Sequence, residues 1–132
     1  MTPVALSPGD EIDGLSVTPD RYLTARYAGA SGDFNPIHID ETFAQQVGLP
    51  GRILHGLWTM AQVARAATAA GGGPASLRSL SVQFRGMGVP EQELVVSGTV
   101  RSAEDGEAVV EITCTQDAKA IIRGAEARLR TP

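Results

Sequence analysis

Residues 56–70, GLWTMAQVARAATAA, decide the fold. Leu57, Trp58, Met60, Ala61, Val63, Ala64, Ala66 and Ala67 cover most of the circumference of a helix, and Thr59, Gln62, Arg65 and Thr68 form a narrow polar stripe. A helix apolar on nearly all sides must be buried on nearly all sides. Residues 71–74, GGGP, end it, and the rest of the chain reads as strand. Leu80, Val82 and Phe84 alternate with polar residues in 78–89. Leu94, Val96 and Val100 do so in 93–101, and Val110, Ile112 and Cys114 in 108–116, while 119–130 carries a looser pattern. Period two with turn signals at 89–93, 102–107 and 116–119 predicts an antiparallel meander. Upstream, 8–17 is a strand candidate. Thr18-Pro19-Asp20 predicts a helix start, with Thr18 as N-cap and Pro19 at the first helical position. Asp40 caps a short helix bearing Phe43 and Val47, which Gly48 closes. One sheet wrapped around one long apolar helix satisfies this order, an α+β domain of two layers spanning residues 1–132.

Composition narrows the function classes. The net charge is −4 with a single lysine, Lys119, and no basic block, so no nucleic-acid partner is expected. No apolar stretch is long enough to span a membrane. The N-terminal residues MTPVALSPGDEI lack a positive segment and an apolar core, so no signal peptide and a cytoplasmic location are expected. The one cysteine, Cys114, excludes an internal disulfide and a cysteine-rich metal site, and reads as a small buried strand residue.

The polar chemistry lies in residues 27–59, YAGASGDFNPIHIDETFAQQVGLPGRILHGLWT, which hold both histidines and the only tryptophan. On a continuous helix Asp33 and His38 would stand about 140° apart. Pro36 has no N–H and pushes Asn35 toward extended angles, and Gly32 frees the backbone before the acid. GDFNPIH therefore reads as a tight non-helical turn that aims a carboxylate and an imidazole at one point. Residues 49–54, LPGRIL, read as a loop. His55 reads as a structural residue of that loop. Two histidines and scattered carboxylates give no metal-ligand spacing.

The run Tyr27, Ser31-Gly32-Asp33-Phe34-Asn35-Pro36-Ile37-His38, followed by Ala44 and His55-Gly56, resembles the MaoC-like, or R-specific enoyl-CoA hydratase (hydratase 2), family, which includes hydroxyacyl-ACP dehydratase subunits. Leu57 stands where such proteins often carry Met, and Ala64 where some carry a serine near the substrate. The resemblance implies a hot-dog fold, a dimer of identical or paralogous chains, and interconversion of trans-2-enoyl and R-3-hydroxyacyl thioesters. It assigns the site to Asp33, His38 and Gly56.

The residues suit that chemistry. Adding water to an enoyl thioester needs a base and stabilisation of the charge that moves onto the thioester oxygen. Asp33 and His38 can hold one water, with Asp33 as the base. Asn35 either holds the turn or positions a catalytic group. Gly56 opens the long helix, so its N–H is unpaired at the positive dipole end and can serve an oxyanion; alternatively, glycine there only permits a positive φ. Leu57, Trp58 and Met60 are candidate acyl-pocket residues, and Arg52 and Arg85 candidate partners for coenzyme A phosphates. No metal or redox cofactor is expected, with coenzyme A or acyl-carrier pantetheine as part of the substrate. A non-catalytic acyl-binding hot-dog subunit is the alternative. A thioesterase fits less well, because residues 57–70 carry no acid.

Overall fold

The chain runs from a short strand β1 (Leu15–Val17) through helices α1 (Leu23–Ser31), α2 (Pro36–Ile39) and α3 (Glu41–Gln46) to the long helix α4 (Gly56–Ala70). A 3-10 turn at Pro74–Ser76 leads into strands β2 (Leu77–Phe84), β3 (Leu94–Glu104), β4 (Glu107–Gln116) and β5 (Lys119–Arg130). The structure is a computed structural model and describes residues 4–132; residues 1–3, included in the domain read from the sequence, lie outside the described residues. The strands form one antiparallel sheet in the order β1-β3-β4-β5-β2. Wrapped against α4, this is the expected α+β hot-dog fold.

The inner face of the sheet follows the alternation in the sequence. Val96 and Val100 of β3, Val110, Ile112 and Cys114 of β4, and Ala127 and Leu129 of β5 are all buried. Burying each larger side chain contributes roughly 1.5–3 kcal/mol. Helix α4 meets them with Val63, Ala66 and Ala67. Its alanines let the helix axis approach the curled sheet closely.

Several expectations change. The four-strand meander holds only for β3, β4 and β5; β2 pairs with β5 at the far edge, with Leu80 opposite Ala127 and Phe84 opposite Ile122. The first strand shrinks to Leu15–Val17, with one isolated bridge from Glu11 to Thr99. Helix α1 begins at Leu23 rather than after Thr18. The carboxylate of Asp20 accepts from the Tyr22 N–H at 2.7 Å and pairs with Arg26, building a turn ahead of the helix. Strand β2 ends at Phe84, because the N–H groups of Arg85 and Gly86 both turn to the Ile121 carbonyl.

Helix α4 is also not buried all round. Its polar stripe is partly inside: Thr59 and Gln62 are buried, Thr59 Oγ1 donating to the Gly56 carbonyl at 2.6 Å and Gln62 Nε2 to the Trp58 carbonyl at 3.1 Å. Bonding to their own helix backbone lets these side chains face the core without orphaned groups. The open face carries Leu57, 65 % exposed, and Ala61 instead.

The two sheet hairpins differ in their turns. Asp105-Gly106 joins β3 to β4 with both residues at positive φ, 55° and 75°, as two-residue hairpins of matching twist require. Asp117-Ala118 joins β4 to β5 with φ of 49° and 61°. An L-residue other than glycine loses roughly 1–2 kcal/mol in that region. Ala118→Gly should therefore raise stability by about 0.5–1 kcal/mol after the extra chain entropy of glycine is subtracted, measured as the urea midpoint at unchanged m-value.

Burial pushes the Cys114 thiol up from 9.0 to about 12. An unfolded thiol ionises first as pH rises, so the unfolded state gains and stability should fall progressively from about pH 9 to 12. Below that window Cys114 should resist thiol reagents until the chain unfolds, as followed by colorimetric thiol titration with and without denaturant.

Candidate active site

Gly32 caps α1 in the left-handed region, φ 79°, with its N–H on the Ala28 carbonyl. The chain reverses there and delivers Asp33. Ser31 secures the reversal: its hydroxyl donates to the Tyr27 carbonyl at 2.7 Å and accepts the Asp33 N–H at 3.1 Å. Asp33 Oδ1 accepts the Asn35 N–H, and Asn35 Oδ1 accepts the Ile37 N–H, both at 3.2 Å. The segment is thus not wholly non-helical. Asn35 is the N-cap and Pro36 the first residue of the single turn α2. Proline suits that position, where its missing N–H would have no helical partner in any case. This capped turn carries His38 back toward Asp33.

His38 Nε2 stands 3.7 Å from Asp33 Oδ2, too far for a direct hydrogen bond. The other ring nitrogen, Nδ1, lies 2.8 Å from the Ile53 carbonyl and donates to it. The neutral ring therefore presents a lone pair at Nε2, toward the carboxylate. His38 is 7 % exposed, whereas the Asp33 side chain is about half exposed. A buried acceptor and a wetter one thus stand side by side, close enough for one water to bridge both from the open side.

His55 completes the cluster. Its Nε2 donates to the Asp33 carbonyl at 3.0 Å. Its ring stacks on His38, centroids 3.8 Å apart and planes 21° apart, and Tyr27 lies tilted against it at 4.7 Å. Expected as a structural residue of the loop before α4, it is tied instead to the Asp33 turn. Possible ligand atoms of Asp33, His38 and His55 fall within 4.8 Å of one another, a convergence that linear spacing hid. Stacked rings keep their in-plane lone pairs in nearly parallel planes, here with centroids 3.8 Å apart, so the two imidazoles do not converge on one ion.

Gly56 is the first residue of α4, directly after His55, and its φ is not positive. The conformational explanation for glycine there fails. A Cβ on Gly56 would instead come within 3.2 Å of the Phe84 ring, which is half exposed at the end of β2. Of the candidate acyl-pocket residues, Trp58 and Met60 pack half-buried against the core, while Leu57 points outward. Arg52 is not free for a phosphate: it binds Glu41 and the Arg21 carbonyl, the latter at 2.7 Å, and braces α3 against the turn that leads into α1. Arg85 contacts Gln83 and has no carboxylate within salt-bridge distance among the described residues.

Sequence reasoning missed the Ile53 carbonyl and the Ser31 hydroxyl as parts of the site. A histidine directly before a helix, where Ser, Thr or Asp is usual, was the available signal for His55.

Comparison with known proteins gives the family and the fold. Residues 5–120 match the family model described as "MaoC like domain". The beta subunit of fatty acid synthase from Aspergillus oryzae is 38 % identical over 113 residues, 81 % of this chain but 6 % of that protein. The chain thus corresponds to a small part of the curated relatives it matches. A solved MaoC-like dehydratase superposes with a TM-score of 0.92 at 27 % identity, covering 99 % of this chain and 44 % of the other. The (R)-hydratase from A. caviae involved in PHA biosynthesis shares the fold, with a TM-score of 0.86 at 20 % identity over 97 % of this chain and 98 % of that one. With the hot-dog architecture and a family match over most of its length, the chain belongs to the MaoC-like domain family.

Proposed function

We propose that the chain is a hydro-lyase, a hydratase or dehydratase that interconverts trans-2-enoyl and R-3-hydroxyacyl thioesters. The carrying observation is the pairing of Asp33 Oδ2 with His38 Nε2, two acceptors 3.7 Å apart that one water can bridge. One water can donate a hydrogen to each and leave an oxygen lone pair for C3 of the enoyl group. As the C–O bond forms, one water proton passes to Asp33. The C2=C3 electron pair moves toward the thioester oxygen, where the Gly56 N–H donates. C2 then takes a proton from the dyad, so one water is added and Asp33 and His38 return to their starting states. Asn35 acts by capping the turn, through its bond to the Ile37 N–H. The MaoC-like family match and the (R)-hydratase fold support this reading. No metal or redox cofactor enters the scheme; coenzyme A or carrier pantetheine is part of the substrate. The reading extends to a cytoplasmic enzyme; no helix among the described residues is long and apolar enough to cross a membrane.

The same reading includes a dimer, of identical or paralogous chains. Strand β2 is an open edge without proline or an inward charge, the kind of edge that a partner strand covers. Beside it lie exposed Phe84 and the outward face of α4 with Leu57 and Ala61. An isologous pairing of two β2 edges covers these together and encloses the acyl chain.

Loss of the conjugated enoyl absorbance of crotonyl-CoA and longer enoyl-CoA substrates tests the activity. Asp33→Asn should lower kcat by roughly 10²–10⁴, and His38→Ala comparably. Because both act on one water, the double variant should be little worse than either single one; multiplicative losses would count against the shared water. By light scattering at micromolar concentration the protein should be dimeric and Ala61→Arg monomeric with an intact far-ultraviolet spectrum. A monodisperse wild-type monomer would refute the assembly.

A further inference from the structure

We infer that His55 is a positioning residue, which registers the Asp33–His38 pair to the start of α4 and leaves the Gly56 N–H at the head of that helix open to substrate. This rests on the hydratase reading of the same site.

Three observations carry it. His55 occupies the N-cap of α4 yet makes no side-chain cap bond. The preferred residues there place an oxygen on the second or third N–H of the helix, which would put a competing acceptor beside the Gly56 N–H. His55 turns its ring away and donates from Nε2 to the Asp33 carbonyl at 3.0 Å. The ring is 3 % exposed and stacks on His38 at 3.8 Å, with Tyr27 also against it. One side chain therefore fixes the backbone that bears the carboxylate and the plane of the imidazole that faces it. Its own backbone leads directly into Gly56. His55 is placed to touch neither the water nor the thioester, so its effect passes through His38 and Asp33. Its two contacts are separable by substitution. Phenylalanine keeps a flat ring for the stack and loses the donor. Glutamine keeps an N–H near the Nε2 position and loses the ring.

The experiment compares His55→Gln and His55→Phe with wild type on crotonyl-CoA, with thermal midpoints on the same preparations. In His55→Phe the Asp33 turn is released, and kcat should fall at least tenfold with KM within threefold. His55→Gln should recover most of that loss. In an Asp33→Asn background, His55→Phe should add less than a threefold further loss, because the carboxylate whose turn it holds no longer acts as the base. A purely structural His55 would instead lower the thermal midpoint and the fraction of active protein, with normal kcat per folded site and the same proportional loss in both backgrounds. Either that pattern or a folded His55→Phe with normal kcat overturns the proposal. The Asp33 carbonyl resonance, read by ¹³C-detected NMR, provides an arm independent of turnover, because that carbonyl accepts the His55 ring N–H. It should move in His55→Phe and return toward wild type in His55→Gln. If the wild-type protein fails to hydrate any enoyl thioester, the hydratase reading falls, and an unmoved Asp33 carbonyl resonance in His55→Phe would overturn the positioning role separately.

Discussion

The site depends on a buried strap of three residues, Ile53, Leu54 and His55, pinned on two sides. The Ile53 N–H donates to the Ile37 carbonyl at 3.1 Å, and its own carbonyl accepts His38 Nδ1. The Leu54 N–H donates to the Gly88 carbonyl at 2.8 Å, and the His55 ring reaches the Asp33 carbonyl. Backbone polar groups that leave water need such partners, and here the partners are the Asp33–His38 turn on one side and the segment after β2 on the other. The strap therefore does two things with one set of bonds. It sets the tautomer of His38, and it fixes where α4 begins.

Charge is arranged to leave this region undisturbed. The outer face of the sheet carries its own network, in which Arg101 bridges Glu111 and Glu126, and Arg128 bridges Glu126 and Glu107. The Arg101 guanidinium holds the Glu126 carboxyl below its usual range. These pairs are solvent-exposed and each adds little stability. They sit on the three central strands, β3, β4 and β5, on the face of the sheet away from the helix.

The parts legible in the sequence were those with a period or a local cap. The apolar run of α4, the alternation of β4 and the Asp40 cap, whose carboxylate accepts the Phe43 N–H at 3.0 Å, all appear as read. The Asp33 and His38 pairing was legible because proline restricts the backbone around it. The strap was not legible: LPGRIL has no period, and its bonds reach Ile37 and Gly88, far away in sequence. The exposed face of α4 was misread for a related reason. Polar residues count as outward in a pattern, but Thr59 and Gln62 satisfy themselves on the helix backbone and so can face inward. The position of β2 beside β5 likewise followed from closure of the sheet around the helix, which no local signal encodes.

The buried side chain of Gln116 has a consequence for traffic. At the end of β4, its Oε1 accepts the Val89 N–H at 2.8 Å, and its Nε2 donates to the carbonyls of Val89 and Gln92 at 2.9 and 3.0 Å. Swinging residues 89–92 outward would strip these groups of partners, at about 1–3 kcal/mol for each one left buried. The connection between β2 and β3 thus behaves as a fixed wall rather than a door. The carboxylate of Asp33 is half exposed and its neighbour Phe34 stands in solvent, so small solutes reach it with no hinge to open.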